Sequence, residues 1–187
     1  PNPDQLDCDN DGIGDICDPG NTLSSGGLMA RGDFNGDAKW DILLQNSETG
    51  GLKLWLMDGA DRLSAANLVS SLDPKWGVVG LGDYNGDGNS DILIRNTETG
   101  YLKLWLMDGA ARLSTGTVVK SLNSKWEVTG NSDFDGDGKS DILLANTETG
   151  GLLLWLMDGA IRRSKETVVS SLNDKWEVAG IADFDGD

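Results

Sequence analysis

Short apolar runs separated by glycine, asparagine and aspartate recur along this chain with a period of roughly 50 residues. In the unit spanning residues 76–125, the runs at 76–84 and 91–96 predict two strands. Leucine alternates with Lys, Trp and Met in residues 101–110, which predicts a third strand ending in a tight Asp108-Gly109 hairpin. Residues 117–122 predict a fourth strand. Helices are disfavoured because each run is short and is bounded by Gly, Asn or Asp.

Both faces of the third strand are largely apolar, which is expected when a small sheet packs between neighbouring sheets of the same kind. The predicted fold is therefore all-β. It consists of four-stranded antiparallel blades in tandem, as a partial β-propeller or an open blade array, after an irregular acidic N-terminal segment. The N-terminal segment is predicted at residues 1–20 and a linker at 21–27. Three blade repeats follow at 28–75, 76–125 and 126–175, and the first strand and partial loop of a fourth at 176–187.

Composition and charge narrow the function. The net charge of -16 disfavours nucleic acid and anionic membrane surfaces as partners, and no apolar run is long enough to span a bilayer. The sequence contains no histidine, so the commonest general base at neutral pH is missing, and we expect no enzymatic activity. Cys8 and Cys17 both lie in the N-terminal segment, where a disulfide would imply an oxidising compartment.

Each repeat also carries an acidic loop with an oxygen-bearing side chain at alternate positions, "DFNGDAKWD", "DYNGDGNSD" and "DFDGDGKSD", and a partial "DFDGD" follows. Such side chains can converge on one centre, and Ca²⁺ takes six to eight oxygen ligands. We predict about one Ca²⁺ per complete loop, with side-chain ligands at positions 1, 3, 5 and 9 and a backbone carbonyl at position 7. The predicted ligands are Asp33, Asn35, Asp37, Lys39 and Asp41; Asp83, Asn85, Asp87, Asn89 and Asp91; Asp133, Asp135, Asp137, Lys139 and Asp141; and Asp183, Asp185 and Asp187.

Position 12, the alternatives to Ca²⁺ and the residue Ala38 each bear on the interpretation of the loops as calcium sites. Position 12 holds Leu44, Ile94 or Leu144 where a helix-flanked calcium hand has glutamate, and the flanking segments are predicted strands. Mg²⁺ fits less well because it demands stricter octahedral geometry, and a metal-free aspartate turn is the remaining alternative. Ala38 replaces a loop glycine, which predicts a strained or weaker first site.

The repeats, with "DFDGDGKSDILLANTETGGLLLW" as the clearest copy, resemble the FG-GAP and VCBS repeats of integrin-like β-propellers over residues 28–187. The resemblance implies a four-stranded blade per repeat, with a calcium loop between its first two strands. It also implies an extracellular or cell-surface, secreted setting and roles in adhesion, carbohydrate binding or surface architecture.

The N-terminal "NPDQLDCDNDGIGDICDPG" resembles a thrombospondin type 3 calcium-binding repeat. The resemblance implies calcium ligands at Asp7, Asp9, Asp11, Asp15 and Asp18, with Ile13 offering its carbonyl. It leaves open whether Cys8 pairs with Cys17. An acidic disordered linker is the alternative for this segment.

The predicted function is a calcium-binding extracellular structural or adhesion module, and the chain could self-associate through its blades or incomplete sheets. The alternatives are a calcium-dependent lectin-like propeller, with a glycan or cell-surface protein ligand, and a non-catalytic part of a secreted glycoside hydrolase. Core packing is expected for the tryptophans that lie on strands, and Trp40, which lies in a loop, is the one expected to be exposed. The tryptophans expected in the core are Trp55, Trp76, Trp105, Trp126, Trp155 and Trp176.

Overall fold

The computed structural model describes residues 32–173 and 175–182, and every regular element within them is a β-strand. In chain order the strands are β1 (Ile42–Gln45), β2 (Leu52–Asp58), β3 (Asp61–Val69), β4 (Trp76–Gly82), β5 (Asp91–Asn96), β6 (Leu102–Asp108), β7 (Ala111–Val119), β8 (Trp126–Ser132), β9 (Asp141–Asn146), β10 (Leu152–Asp158) and β11 (Ile161–Val169). They form three antiparallel sheets, ordered β1-β2-β3, β4-β5-β6-β7 and β8-β9-β10-β11, and none of them closes into a barrel. The all-β class and the open array of blades are confirmed.

One predicted strand boundary is wrong. The fourth strand of the second repeat begins at Ala111, directly after the hairpin, whereas the sequence pattern placed its start at residue 117. Asp108 pairs with Ala111, and Gly109 adopts a left-handed φ of 55°, so the turn is complete within two residues. β7 is the outer strand of its sheet, and its first half is exposed and mostly polar. It therefore lacks the apolar run on which the strand prediction relied.

The hydrophobic core lies between repeats. On β6, Leu102 and Leu104 face the third repeat, while Trp105 and Met107 face the first. The buried residues between repeats 1 and 2 are Phe34, Leu52, Leu54, Leu81, Ile92, Ile94, Trp105 and Met107. Those between repeats 2 and 3 are Tyr84, Leu93, Leu102, Leu104, Leu122, Ile142, Leu144, Leu153, Trp155 and Met157. Because burying one such side chain contributes about 1.5–3 kcal/mol, each blade depends on its neighbours for stability.

An aromatic residue in each of the first two acidic loops joins one repeat to the next. Phe34 and Tyr84 are fully buried against the following repeat. The carbonyl of Phe34 accepts a hydrogen bond from the Gly109 amide at 2.7 Å, and the carbonyl of Tyr84 accepts one from the Gly159 amide at the same distance. The acidic loop is therefore part of the interface between repeats as well as a link between two strands.

The tryptophans on the third strands stack under arginines from the fourth strands, a contact that the sequence analysis did not anticipate. The guanidinium carbon lies 4.5 Å from the ring centroid in the pair Arg112–Trp105. The equivalent distances are 4.9 Å for Arg62–Trp55 and 4.6 Å for Arg162–Trp155. Each pair adds a cation–π contact between adjacent strands of one blade.

The expectation for the tryptophans needs one correction. Trp105 and Trp155 are buried, and Trp40 is 52% exposed, as expected. Trp176, however, is 69% exposed although it was expected in the core. Trp76, its equivalent in the second repeat, packs against Tyr101, with ring centroids 5.7 Å apart. Within the described residues, no strand pairs with the segment that begins at Trp176.

Candidate metal centre

The first aspartate of each acidic loop accepts hydrogen bonds from the backbone of its own loop. Asp83 Oδ1 accepts from the amide of Gly86 at 2.6 Å, and Oδ2 accepts from the amide of Gly88 at 2.7 Å. Asp33 and Asp133 make equivalent bonds. The left-handed φ of Gly86 and Gly88, 77° and 87°, turns these amides inward. The carboxylate therefore holds the backbone of the loop in its closed conformation.

The ninth residue of each loop is a buried aspartate that connects the loop to the third strand of its blade. Asp91 is fully buried; its Oδ2 accepts from the Tyr84 amide at 3.0 Å and its Oδ1 from the Met107 amide at 2.9 Å. Asp41 and Asp141 repeat this arrangement. The alternating acidic pattern predicted only a ligand role for these residues. The constant spacing of 16 residues to a methionine is the signal that could have revealed the link.

Burial changes the acidity of the ninth position. Desolvation raises the pKa of Asp91 to about 7, although the two backbone amides act in the opposite direction. The pKa values of Asp41 and Asp141 are also raised, for the same main reason. A divalent cation beside these carboxylates would favour their ionised form.

The third position distinguishes the third loop from the first two. Asn85 donates its side-chain amide to Asp87 at 2.8 Å, and Asn35 makes the same bond in the first loop at 3.1 Å. The third loop holds Asp135 at this position, and a carboxylate cannot donate such a bond to Asp137. The Asp135 carboxylate only accepts, and its Oδ1 receives a hydrogen bond from the Asp137 amide at 3.3 Å.

Three carboxylates converge in the third loop. Oxygen atoms of Asp133, Asp135 and Asp141 all lie within 4.8 Å of one another, a separation at which all three could bind one metal ion. Like charges at this distance repel in the absence of a cation. Carboxylate oxygens are the ligands that hard cations such as Ca²⁺ prefer, so the chemistry of this group fits the predicted ion.

The seventh position can contribute only its backbone carbonyl in the first and third loops, because a lysine side chain has no acceptor. The Lys39 ammonium lies 2.9 Å from a carboxylate oxygen of Asp58, and Lys139 lies 2.9 Å from Asp158. These ion pairs direct both ammonium groups to the following hairpin. Lys139 nevertheless lies 3.9 Å from Asp137, so part of its charge is close to the loop.

Ala38 is, among the described residues, the one non-glycine residue with a positive φ, 63°. This conformation costs an alanine about 1 kcal/mol, whereas the glycine at the same position of the second loop adopts it freely. We expect Ala38→Gly to raise the free energy of unfolding by about 0.5 kcal/mol, the gain being reduced by the greater entropy of glycine in the unfolded chain. The matched exchange, Gly88→Ala, should lower it by about 0.5 kcal/mol, because the same strain and entropy contributions enter with opposite signs. Urea unfolding of both variants checks the pair, and a destabilising Ala38→Gly would contradict the strain argument.

Several predicted ligands lie outside the described residues. They are Asp7, Asp9, Asp11, Ile13, Asp15, Asp18, Asp183, Asp185 and Asp187. The structure therefore tests neither the thrombospondin type 3 resemblance nor the partial fourth loop.

Fold and loops together define a class, a tandem all-β repeat protein in which an acidic loop leads into β1, β5 and β9 of the successive blades. The FG-GAP-like repeat matches residues 33–94 and 133–187, which together make up more than half of the chain. The chain belongs to the FG-GAP-like repeat family. Such repeats form modules of the propeller type and are typical of extracellular proteins.

No curated protein and no solved structure matches the chain. In the part of the chain that the structure describes, no helix has the length and apolar character needed to cross a bilayer. The FG-GAP-like match starts at residue 33, so the thrombospondin type 3 resemblance of residues 1–20 stays a prediction from sequence alone.

Proposed function

We propose that the protein is a calcium-binding structural or adhesion module of the extracellular space, with no catalytic role. The observation that carries the proposal is the convergence of Asp133, Asp135 and Asp141 in the third loop. The first two loops share its framework but hold asparagine at the third position. A rotation of that amide would present its oxygen in place of the missing carboxylate.

The position of the loops gives calcium a structural role. Each of the first two loops sends its aromatic residue, Phe34 or Tyr84, into the core of the following repeat. An ion that holds the loop closed therefore also holds the interface between blades. Extracellular calcium modules bind with dissociation constants of about 10⁻⁴–10⁻³ M, which suits a loop with three or four carboxylates and no bidentate glutamate. We extend the proposal to residues 1–20, where sequence alone supports it.

A reciprocal exchange at the third position tests the proposal. We expect Asp135→Asn to weaken calcium binding at the third loop roughly tenfold, because it removes one ligand charge. Asn85→Asp should strengthen binding at the second loop by a similar factor. Isothermal titration of chelator-treated protein with calcium at physiological salt measures both changes.

The control for these titrations is Glu166→Gln, the same loss of charge on the exposed surface of β11. If the overall charge of the protein alone set the calcium affinity, Glu166→Gln would weaken binding as much as Asp135→Asn does. Absence of calcium binding at millimolar concentration, or identical isotherms for all three variants and the parent, would refute the proposal.

A further inference from the structure

Two asparagines of this chain are followed directly by glycine, and both lie in acidic loops. Asn35 precedes Gly36 in the first loop and Asn85 precedes Gly86 in the second, whereas the third loop has Asp135 at the same position. Asparagine is a chemically labile residue, and it is most open to attack where the next residue has no side chain to shield its backbone nitrogen. These two pairs are therefore the places in the sequence that most favour spontaneous deamidation.

Deamidation at such a pair needs only water. In the first loop, the backbone nitrogen of Gly36 bonds to Cγ of Asn35. The side-chain NH2 group then leaves as ammonia, together with the proton that the Gly36 nitrogen loses, and a cyclic succinimide results. Water adds to either carbonyl of this ring and opens it, which gives aspartate from one opening and isoaspartate from the other. The reaction therefore requires no oxidant, reductant or partner other than the solvent.

In the closed loops, hydrogen bonds engage both of the reacting groups. The Gly36 amide donates to Asp33 Oδ1 at 2.7 Å, and the Gly86 amide donates to Asp83 Oδ1 at 2.6 Å. Each asparagine side chain in turn donates to the aspartate two positions further on. These bonds must break before the nitrogen can attack, so the rate of deamidation reports how often each loop opens.

The asparagine of the first loop is held less firmly than that of the second. Asn35 is exposed, whereas Asn85 is half-buried. The side-chain amide of Asn35 lies 3.1 Å from Asp37, against 2.8 Å between Asn85 and Asp87. The backbone amide of Asp37 donates back to the Asn35 oxygen at 3.4 Å, against 3.0 Å for the equivalent bond of the second loop.

A lysine of the third loop also covers the second Asn-Gly pair. A Cβ built on Gly86 would lie 3.5 Å from Cγ and 3.6 Å from Cε of Lys139, so the lysine stem packs over this glycine. The neighbour at the equivalent place beside Gly36 is the shorter Asn89, whose Oδ1 would lie 3.3 Å from such a Cβ. The first loop additionally holds the strained Ala38, with its φ of 63°. All of these differences favour opening of the first loop.

We propose that Asn35 is a deamidation site and that it reacts faster than Asn85, because the first loop opens more often. The two flanking sequences, Asp-Phe-Asn-Gly-Asp and Asp-Tyr-Asn-Gly-Asp, differ only in their aromatic residue. A difference in rate between the two sites therefore comes from the fold. The proposal goes beyond the calcium function and does not rest on it, since the reaction involves no metal ion.

Deamidation changes the first loop in one of two ways. An aspartate at position 35 gives this loop the residue type that Asp135 supplies in the third, and it removes the amide that donates to Asp37. An isoaspartate adds one carbon to the backbone between Asp33 and the amides of Gly36 and Ala38 that bond to it. The first product adds a carboxylate to the loop, whereas the second disturbs the bonds that close it.

Peptide mapping by mass spectrometry measures both rates on the full chain, kept in excess chelator at mildly alkaline pH. We expect Asn35 to deamidate at least about twofold faster than Asn85 in the folded protein. In concentrated urea the two rates should become equal, because neither loop is formed. Ala38→Gly should slow the reaction at Asn35 about twofold, and Gly88→Ala should speed it at Asn85 by a similar factor, since the strain is removed from one loop and added to the other.

The control is Asn35→Gln, whose longer side chain closes a ring much more slowly, so its first-loop peptide should stay unmodified over the same period. Far-UV circular dichroism checks that each variant is folded. The proposal would be overturned if Asn85 reacted as fast as Asn35 in the folded protein, or if the exchanges at positions 38 and 88 left both rates unchanged. Repeating the incubation with calcium shows separately whether the loops bind the ion, because an ion that holds them closed slows both reactions.

Discussion

Asp91→Ala is expected to lower the free energy of unfolding by about 2–5 kcal/mol, one of the two largest effects that we predict. The variant leaves the amides of Tyr84 and Met107 without their acceptor in a buried site, and each unsatisfied amide costs about 1–3 kcal/mol. It also removes the link between the second acidic loop and β6. Thermal and urea unfolding, both in excess chelator, measure the structural effect apart from any effect on calcium.

The matched control for Asp91 is Asp87→Ala in the same loop. Asp87 is exposed and accepts one bond from the amide of Asn89 and one from the side chain of Asn85, both open to solvent. Water can replace these partners, so we expect a loss below about 1 kcal/mol. Equal losses for the two variants would show that the buried carboxylate has no special structural role.

Calcium removal is the second large effect that we expect. Each site occupied at a hundredfold excess over its dissociation constant adds about 2.7 kcal/mol, so three loops together add about 8 kcal/mol. For a chain of this size, each kcal/mol corresponds to about 2–4 °C in melting temperature, so chelation should lower it by roughly 15–30 °C. Differential scanning calorimetry with excess calcium and with excess chelator measures the change.

Magnesium provides the control for the calorimetry. Mg²⁺ prefers a stricter octahedral shell and retains its waters, so the same concentration should recover only a small part of the stability. Full recovery by magnesium would indicate general screening of the -16 charge instead of a specific site. A melting temperature that moved by no more than a degree or two on chelation would contradict calcium-dependent stability.

Most strands of each blade could be predicted from local sequence. Glycine and aspartate mark the turns, and alternation with period two identifies strands such as β6, whose end at Asp108 agrees with the hairpin signal. The outer strand β7 was predicted too short because its first half is polar and exposed, so no apolar pattern marks it. A strand at an edge can form through pairing with its neighbour even where its own pattern is weak.

The candidate site was predictable in composition but only partly in its internal arrangement. Alternate acidic residues identify the loops, and Gly86 and Gly88 adopt the unusual backbone angles that the sequence implies. The bond between Asp91 and the Met107 amide depends on the register of strands that are separated in sequence. Asp135 distinguishes the third loop in sequence, but only the structure shows that oxygens of Asp133, Asp135 and Asp141 lie within 4.8 Å of one another.

The sequence by itself determined the all-β class, the repeat of about 50 residues and the acidic loops, because turn residues and side-chain alternation act over short stretches. Only the tertiary structure decided which faces of the described blades meet. Ile42 and Ile92 occupy equivalent positions, yet one is 40% exposed and the other is fully buried. The reason is physical: an apolar face is encoded locally, but its burial depends on whether a neighbouring blade lies against it.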